Sequence, residues 1–336
     1  MSEGEISSRL ESFLGERLGP SSRPRVDNVE RVAVGRSREN WLFDASWQQD
    51  GVEVRESLIV RRDPLGGLLE TDRAVEYAVL AALEHTAVPA PAVRWLDAHG
   101  VELGRPSLVM VREAGECDYF VLNGDWALSK RVELARRLCA LLATVHQADW
   151  RRAGLGEVFE DPGLDAATIE LARWESILRR DQLEPYPELE LALRGLRATA
   201  PAAARTVLVH GDFKVGNVLL QGDIPTTLLD WELAHLGDPH EDLGWITQPL
   251  RTREHLIAGA WQRQDLLAYY EELTGWTVDH RAVRWWNALA CFKTAVMQAS
   301  GLRAYVEGRC DELYQPTAVV LSTLADLVDE LVGEAG

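Results

Sequence analysis

Between residues 207 and 243 the chain reads VLVHGDFKVGNVLLQGDIPTTLLDWELAHLGDPHEDL, which gathers two carboxylates, Asp212 and Asp230, and the amide of Asn217 at the ends of short aliphatic runs. A carboxylate at a loop apex can take the proton of a substrate hydroxyl as that oxygen attacks. An amide oxygen and a second carboxylate are donors suited to Mg²⁺, which takes few protein ligands and completes its shell with phosphate oxygens and water. The chemistry implied is phosphoryl transfer, where catalysis is mostly positioning and charge neutralisation. The same stretch also admits a metal-dependent hydrolase built on His210, Asp212 and Asp230. That reading needs further histidine ligands, and the nearby His235 and His240 follow no hydrolase spacing.

Holding such groups in place requires a frame. Val207-Leu208-Val209, Val218-Leu219-Leu220 and the run from Thr226 to Leu229 read as short buried strands broken by Gly-Asp and Asp-Ile-Pro turns. Upstream, an acidic amphipathic helix with Leu10, Phe13, Leu14 and Leu18 on one face occupies the first 25 residues. Strands follow at Val29–Val34, Trp41–Ala45 and Ser57–Arg62, with Asp50-Gly51 as a hairpin turn. A helix is expected from Thr71 to His85, capped by Thr71 or Asp72, and two more strands at Val93–Leu96 and Ser107–Val111. Beyond residue 113 the periodicity turns helical, at Trp126–Trp150, Asp165–Arg180, Pro187–Ala200, Asp265–Thr274, Asp279–Tyr305 and Thr317–Val332. The expectation is an α+β chain in two parts, residues 1–113 and 114–336.

Composition narrows the function. A net charge of −18 argues against unaided binding to nucleic acid or an anionic membrane, and no apolar run reaches the roughly 18 residues a membrane span requires. The start lacks the pattern of a secretory signal, and Cys117, Cys139, Cys291 and Cys310 form no C-x-x-C pair. Free thiols and a cytoplasmic location are the expectation. The tryptophans of the helical half, among them Trp174, Trp231, Trp285 and Trp286, read as core residues, with an acceptor platform as the alternative.

His210-Gly211-Asp212, Asn217, Asp230-Trp231-Glu232 and Gly237-Asp238-Pro239…Asp242-Leu243 together resemble the aminoglycoside phosphotransferase and choline kinase superfamily, over about Val29 to Tyr305. The resemblance implies a two-lobed protein-kinase-like fold: a small antiparallel-sheet lobe with one main helix, and a larger helical lobe. It implies ATP and Mg²⁺ as cofactors and a small-molecule hydroxyl as acceptor. Asp212 matches the catalytic base, Asn217 and Asp230 the metal ligands, and Lys214 a lysine that faces the γ-phosphate, with an exposed loop lysine as the alternative. His210 matches a structural residue, and Asp238 and Asp242 are expected to brace the loop. For the nucleotide, Gly35 and Ser37 fall in the loop over the phosphates, and Met110, Val111 and Arg112 in the segment that reads the adenine edge.

One departure stands out. The lysines of this chain are Lys130, Lys214 and Lys293, so none is available on the third strand, where the superfamily places a cation for the α- and β-phosphates. Arg61, or failing that Arg62, must fill the position, with Glu76 as its helix partner. The stretch Ile59-Val60-Arg61-Arg62-Asp63-Pro64 to Leu68-Leu69 resembles a branch linked to acyl-CoA dehydrogenases, which carries Leu-Arg or Val-Arg there. Two functions therefore stay open: a Mg·ATP-dependent kinase acting on an aminoglycoside- or macrolide-like, choline-like or hydroxyacyl acceptor, and a kinase-like nucleotide-binding module without turnover. Oligomeric state is not readable from the sequence.

Overall fold

Alternation of Trp41, Phe43, Ala45 and Trp47 with polar neighbours gives strand β2 (Glu39–Gln49) one apolar face. It runs antiparallel to β3 (Val52–Arg62) through a tight turn in which both Asp50 and Gly51 have positive φ, the conformation that suits the twist of a hairpin. With β1 (Arg25–Val32), β4 (Val93–Asp97) and β5 (Ser107–Val111) they form a five-stranded antiparallel sheet in the order β1-β2-β3-β5-β4. The computed structural model describes residues 2–32, 39–63 and 72–334.

Helix α1 (Glu3–Leu18) lays Ile6, Leu10, Phe13 and Leu14 on the face carrying Trp41, Phe43, Leu58 and Val60. Helix α2 (Arg73–Leu83), capped by the Asp72 side chain on the Ala74 amide, packs Val79, Leu80 and Leu83 on the other face, against Leu108 and Met110. The period of two along β3 decides which arginine does what. Arg61 leans to the α2 side with Ile59, whereas Arg62 turns to the α1 side, where it donates to the Leu103 carbonyl at 2.8 Å and pairs with Glu39 at 3.0 Å. Arg61 is thus the arginine that faces the helix glutamate.

The helical part is built around α9 (His280–Val306), which buries residues on every side, including Trp285, Trp286, Phe292 and Lys293. A helix apolar all round must sit inside a bundle. Here it lies among α4 (Ala166–Asp181), α5 (Pro187–Thr199), α6 (His240–Thr247) and α10 (Ala318–Gly333). Helix α3 (Leu128–Gln147) packs on α8 (Arg263–Thr274), and the short α7 (Thr252–His255) follows α6. Trp174, Trp231, Trp245, Trp261, Trp285 and Trp286 are all buried, so they are core.

Between sheet and bundle lie two small ribbons. Strand β6 (Val207–Val209) pairs antiparallel with β9 (His235–Gly237), and β7 (Val218–Gln221) with β8 (Ile224–Leu228). Strand β9 and helix α6 are additions to the sequence expectation. All four cysteines are free, and no helix among the described residues is long and apolar enough to cross a membrane.

Candidate active site

The loop leaving β6 is held from behind by one buried carboxylate. Asp242, near the start of α6, accepts hydrogen bonds from the backbone N–H groups of His210 and Gly211 at 2.8 and 2.9 Å. Its Oδ2 also accepts from His146 Nε2 at 3.2 Å, and His146 Nδ1 in turn is hydrogen-bonded to the Tyr270 hydroxyl at 2.7 Å. Burial opposes the charge on Asp242, but these donors outweigh it and hold the carboxyl below its usual range. Gly211 has φ +79, and a Cβ there would lie 2.6 Å from the Leu233 carbonyl oxygen, so only glycine lets the loop cross that backbone.

His210 is fully buried, with Nε2 3.0 Å from the Leu229 carbonyl oxygen and Nδ1 3.2 Å from the Asp212 N–H. A carbonyl can only accept and an amide N–H can only donate, so the ring is the neutral tautomer protonated at Nε2. Both nitrogens are therefore engaged in shaping the loop, and His210 is structural.

In front of this brace, Lys214 Nζ lies 2.5 Å from Asp212 Oδ2, with its side chain largely buried. The exposed-lysine alternative is thereby removed. Burial alone would lower the pKa of Lys214, yet Asp212 and Asp230 raise it above the ordinary lysine value, so it stays charged. Asn217 donates from Nδ2 to the Asp212 carbonyl at 3.1 Å and to its carboxylate at 3.3 Å. The amide nitrogen is thus committed, leaving the carbonyl oxygen as the atom a cation could take. The Leu229 N–H to Asn217 C=O bond, 2.8 Å, ties the start of β7 to the end of β8 and brings Asp230 beside Asn217.

Asp230 adopts the left-handed conformation, φ +68. Burial would raise its pKa, but Arg61 and Lys214 override it and keep the carboxylate ionised. An ionised carboxylate beside an oriented amide oxygen is a donor set that fits Mg²⁺.

From the sheet side, Arg61 reaches this centre with both terminal nitrogens. Nη1 lies 3.0 Å from Glu76 Oε1, and Nη2 lies 2.9 Å from Asp230 Oδ1. Glu76 is held in turn by Arg73, whose Nε donates to Asp63 Oδ1 at 2.5 Å and whose Nη2 lies 3.8 Å from Glu232. Sequence reasoning missed Arg73; its place three residues before Glu76, on the same helix face, was the available signal.

Met110 and Val111 end β5 and Arg112 follows it; the Val111 N–H donates to the Ala92 carbonyl and the Arg112 N–H to the Ser57 carbonyl, each at 2.9 Å. Gly35 and Ser37 lie outside the described residues.

Behind the loop sits a buried ionic cluster that the sequence did not announce. Lys293 Nζ lies 2.8 Å from Glu241 and 3.4 Å from Glu170, while His235 Nε2 lies 3.0 Å from Glu241 and 3.9 Å from Glu170. Glu170, His235 and Glu241 have the spacing of a metal site, but the Lys293 ammonium already supplies the cation between the two carboxylates. The hydrolase alternative fails here as well. His235 Nδ1 bonds the Leu233 carbonyl, and His240 is taken by Asp238 and the Asp279 amide, so neither ring is available to a metal at Asp212. The exposed Tyr119 lies against the His-Gly-Asp loop, where a Cβ on Gly216 would lie 2.4 Å from its ring, and the next residue, Phe120, is exposed as well.

An antiparallel-sheet lobe joined to a helical lobe, with a His-Gly-Asp loop braced at their junction, is a two-lobed protein-kinase-like fold. The phosphotransferase enzyme family (APH) matches residues 29–286, and the chain belongs to it. In mouse, acyl-CoA dehydrogenase family member 10 is 28% identical over 245 residues, 70% of this chain but 21% of that protein. The chicken family member 11 is 26% identical over 226 residues, covering 66% of this chain and 28% of the relative. The chain therefore spans a fifth to just over a quarter of these relatives' length.

Among solved structures, a Ralstonia eutropha JMP134 protein studied as a candidate aminoglycoside phosphotransferase superposes with a TM-score of 0.70 at 20% identity, covering 97% of this chain and 98% of that one. LicA in complex with AMP gives 0.62 at 16% identity, with 98% and 99% covered. A thermostable mutant of aminoglycoside phosphotransferase APH(4)-Ia, solved with AMP-PNP and hygromycin B, gives 0.58 at 15% identity, with 96% and 98% covered. Likeness at these identities is a likeness of fold. Family and fold together make the chain a kinase-like phosphotransferase.

Proposed function

We propose that the chain moves the γ-phosphate of Mg·ATP to a hydroxyl of a small molecule, with residues 1–113 as the nucleotide lobe and 114–336 carrying the catalytic loop and acceptor pocket. The observation that carries this reading is the meeting of Asp212, Lys214, Asn217 and Asp230 at one point, with Asp230 kept ionised. Asp212 accepts the proton of the acceptor hydroxyl as its oxygen bonds to the γ-phosphorus and the bond to the ADP oxygen breaks. Lys214 orients Asp212 and offsets charge on the transferring group. Asn217 Oδ1 and Asp230 would hold Mg²⁺, which when bound neutralises charge on the phosphate oxygens. Arg61, supported by Glu76, is the small-lobe cation for the phosphates, Met110, Val111 and Arg112 are the residues for the adenine edge, and Gly35 and Ser37 are the further nucleotide-binding candidates.

Three acceptor classes fit the family: aminoglycoside- or macrolide-like, choline-like and hydroxyacyl. The carboxylates of Glu170 and Glu241 are already neutralised within the core, so they do not form a free acidic ring for a cationic acceptor. The buried tryptophans offer no apolar platform either. A cytoplasmic location suits ATP as substrate.

Asp212→Ala tests the assignment of the base. It should retain thermal stabilisation by Mg·ATP and lose turnover across a panel of hydroxyl compounds; unchanged turnover would refute it. The second reading, a nucleotide-binding module, is motivated by arginine at position 61. Nucleotide binding by the wild-type chain without turnover on any acceptor class would favour it.

A further inference from the structure

Arginine in place of lysine on β3 has a geometric consequence beyond its charge. An ammonium is one point, whereas a guanidinium fork presents two nitrogens in a fixed plane. Here the fork spans two elements: one nitrogen is on Glu76 of α2 at 3.0 Å and the other on Asp230 after β8 at 2.9 Å. The Arg61 and Glu76 side chains are 10% and 1% exposed, so little solvent competes for this contact. Asp230 is the carboxylate assigned to the metal, and one of its oxygens is taken by Arg61.

We propose that Arg61 is a positioning residue that enforces order of binding: it holds Asp230 in the nucleotide-free protein and must be drawn away by phosphate before a divalent cation can take that carboxylate. This rests on the phosphotransferase reading of the site and adds to it a sequence of events. Arg61 and a divalent cation compete for the same anion, so each weakens the other's hold on Asp230 until a phosphate gives Arg61 another partner. Glu76 sets the strength of the latch. Its carboxylate shares the guanidinium with Asp230, and Arg73, with Asp63 behind it, anchors Glu76 in place. The protein then discriminates between free divalent cation and cation presented with nucleotide.

The test is Mn²⁺ binding to the full chain, followed by electron paramagnetic resonance in the absence of nucleotide. Arg61→Gln, which keeps a polar side chain without the charge, should bind Mn²⁺ about tenfold more tightly than wild type, the effect of losing one competing buried ion pair. Arg61→Lys cannot bridge both carboxylates and should lie between them, which keeps the test open if the glutamine variant folds poorly. Glu76→Gln should shift the other way, because Arg61 is left to Asp230 alone. Adding ADP should raise Mn²⁺ affinity in wild type more than in Arg61→Gln. Equal Mn²⁺ affinity in wild type and both Arg61 variants overturns the latch. ADP binding without metal is scored separately: its failure counts against the phosphotransferase reading, while the nucleotide-free comparison still decides the latch.

Discussion

His235 makes the protein's stability depend on alkaline pH in a way that can be calculated. Burial by itself disfavours the imidazolium, but Glu241 and Glu170 outweigh that and push its pKa up to about 9 from the ordinary 6.5. The folded protein therefore holds this proton more tightly than the unfolded chain does. The stabilisation is complete below about pH 6.5 and is lost as pH rises through about 9. At about 1.4 kcal/mol per pH unit, that interval corresponds to about 3 kcal/mol. The side chain is 15% exposed, so solvent screening removes little of it. Urea denaturation of wild type and His235→Gln at pH 6.5 and 9.5 isolates the contribution, since other titrations are common to both. Wild type should lose about 3 kcal/mol more than the variant across that range. Parallel losses in the two proteins would mean that His235 is neutral in the folded state and that Lys293 alone balances the two glutamates.

Asp242→Ala removes the shared acceptor of two backbone amides and His146 Nε2 and should cost at least about 3 kcal/mol in chemical denaturation; a loss below about 1 kcal/mol would contradict the bracing role. In Gly211→Ala the new Cβ meets the Leu233 carbonyl and the backbone stays left-handed, so kcat should fall with nucleotide affinity kept, and an unchanged kcat would show that the loop tolerates displacement. On the acid side, burial lowers the pKa of His255 to about 3, helped by Arg251 and Lys214. Its contribution is present above about pH 6.5 and declines below it. Wild type should lose about 2 kcal/mol more than His255→Gln between pH 7 and pH 5, read from urea midpoints at each pH.

The sequence made the candidate site legible where residue type and spacing are local. The His-Gly-Asp loop, Asn217 and Asp230 lie within one short stretch, and alternation along β3 separates Arg61 from Arg62 once the strand is recognised. What stayed hidden was long-range or without periodicity. Strand β9 is three residues long, too short to alternate, and α6 is buried at every position, so it has no polar face to betray a helical period. His146 and Tyr270 lie on α3 and α8 and meet Asp242 only in three dimensions. Lys293 sits inside an otherwise apolar run of α9, where sequence cannot tell a buried cation from a surface one; its carboxylate partners lie on α4 and α6. Tertiary ionic pairing is the part of such a site that local patterns do not encode.

The brace behind the His-Gly-Asp loop also bears on how the protein can be re-engineered. Asp242, His146 and Tyr270 grip the loop from the interior of the helical lobe, through groups that are themselves buried. The exposed rim around Tyr119 and Phe120 is not part of that support. A substitution library can therefore range over the rim while the grip is left untouched, without each variant having to solve the folding of the loop again.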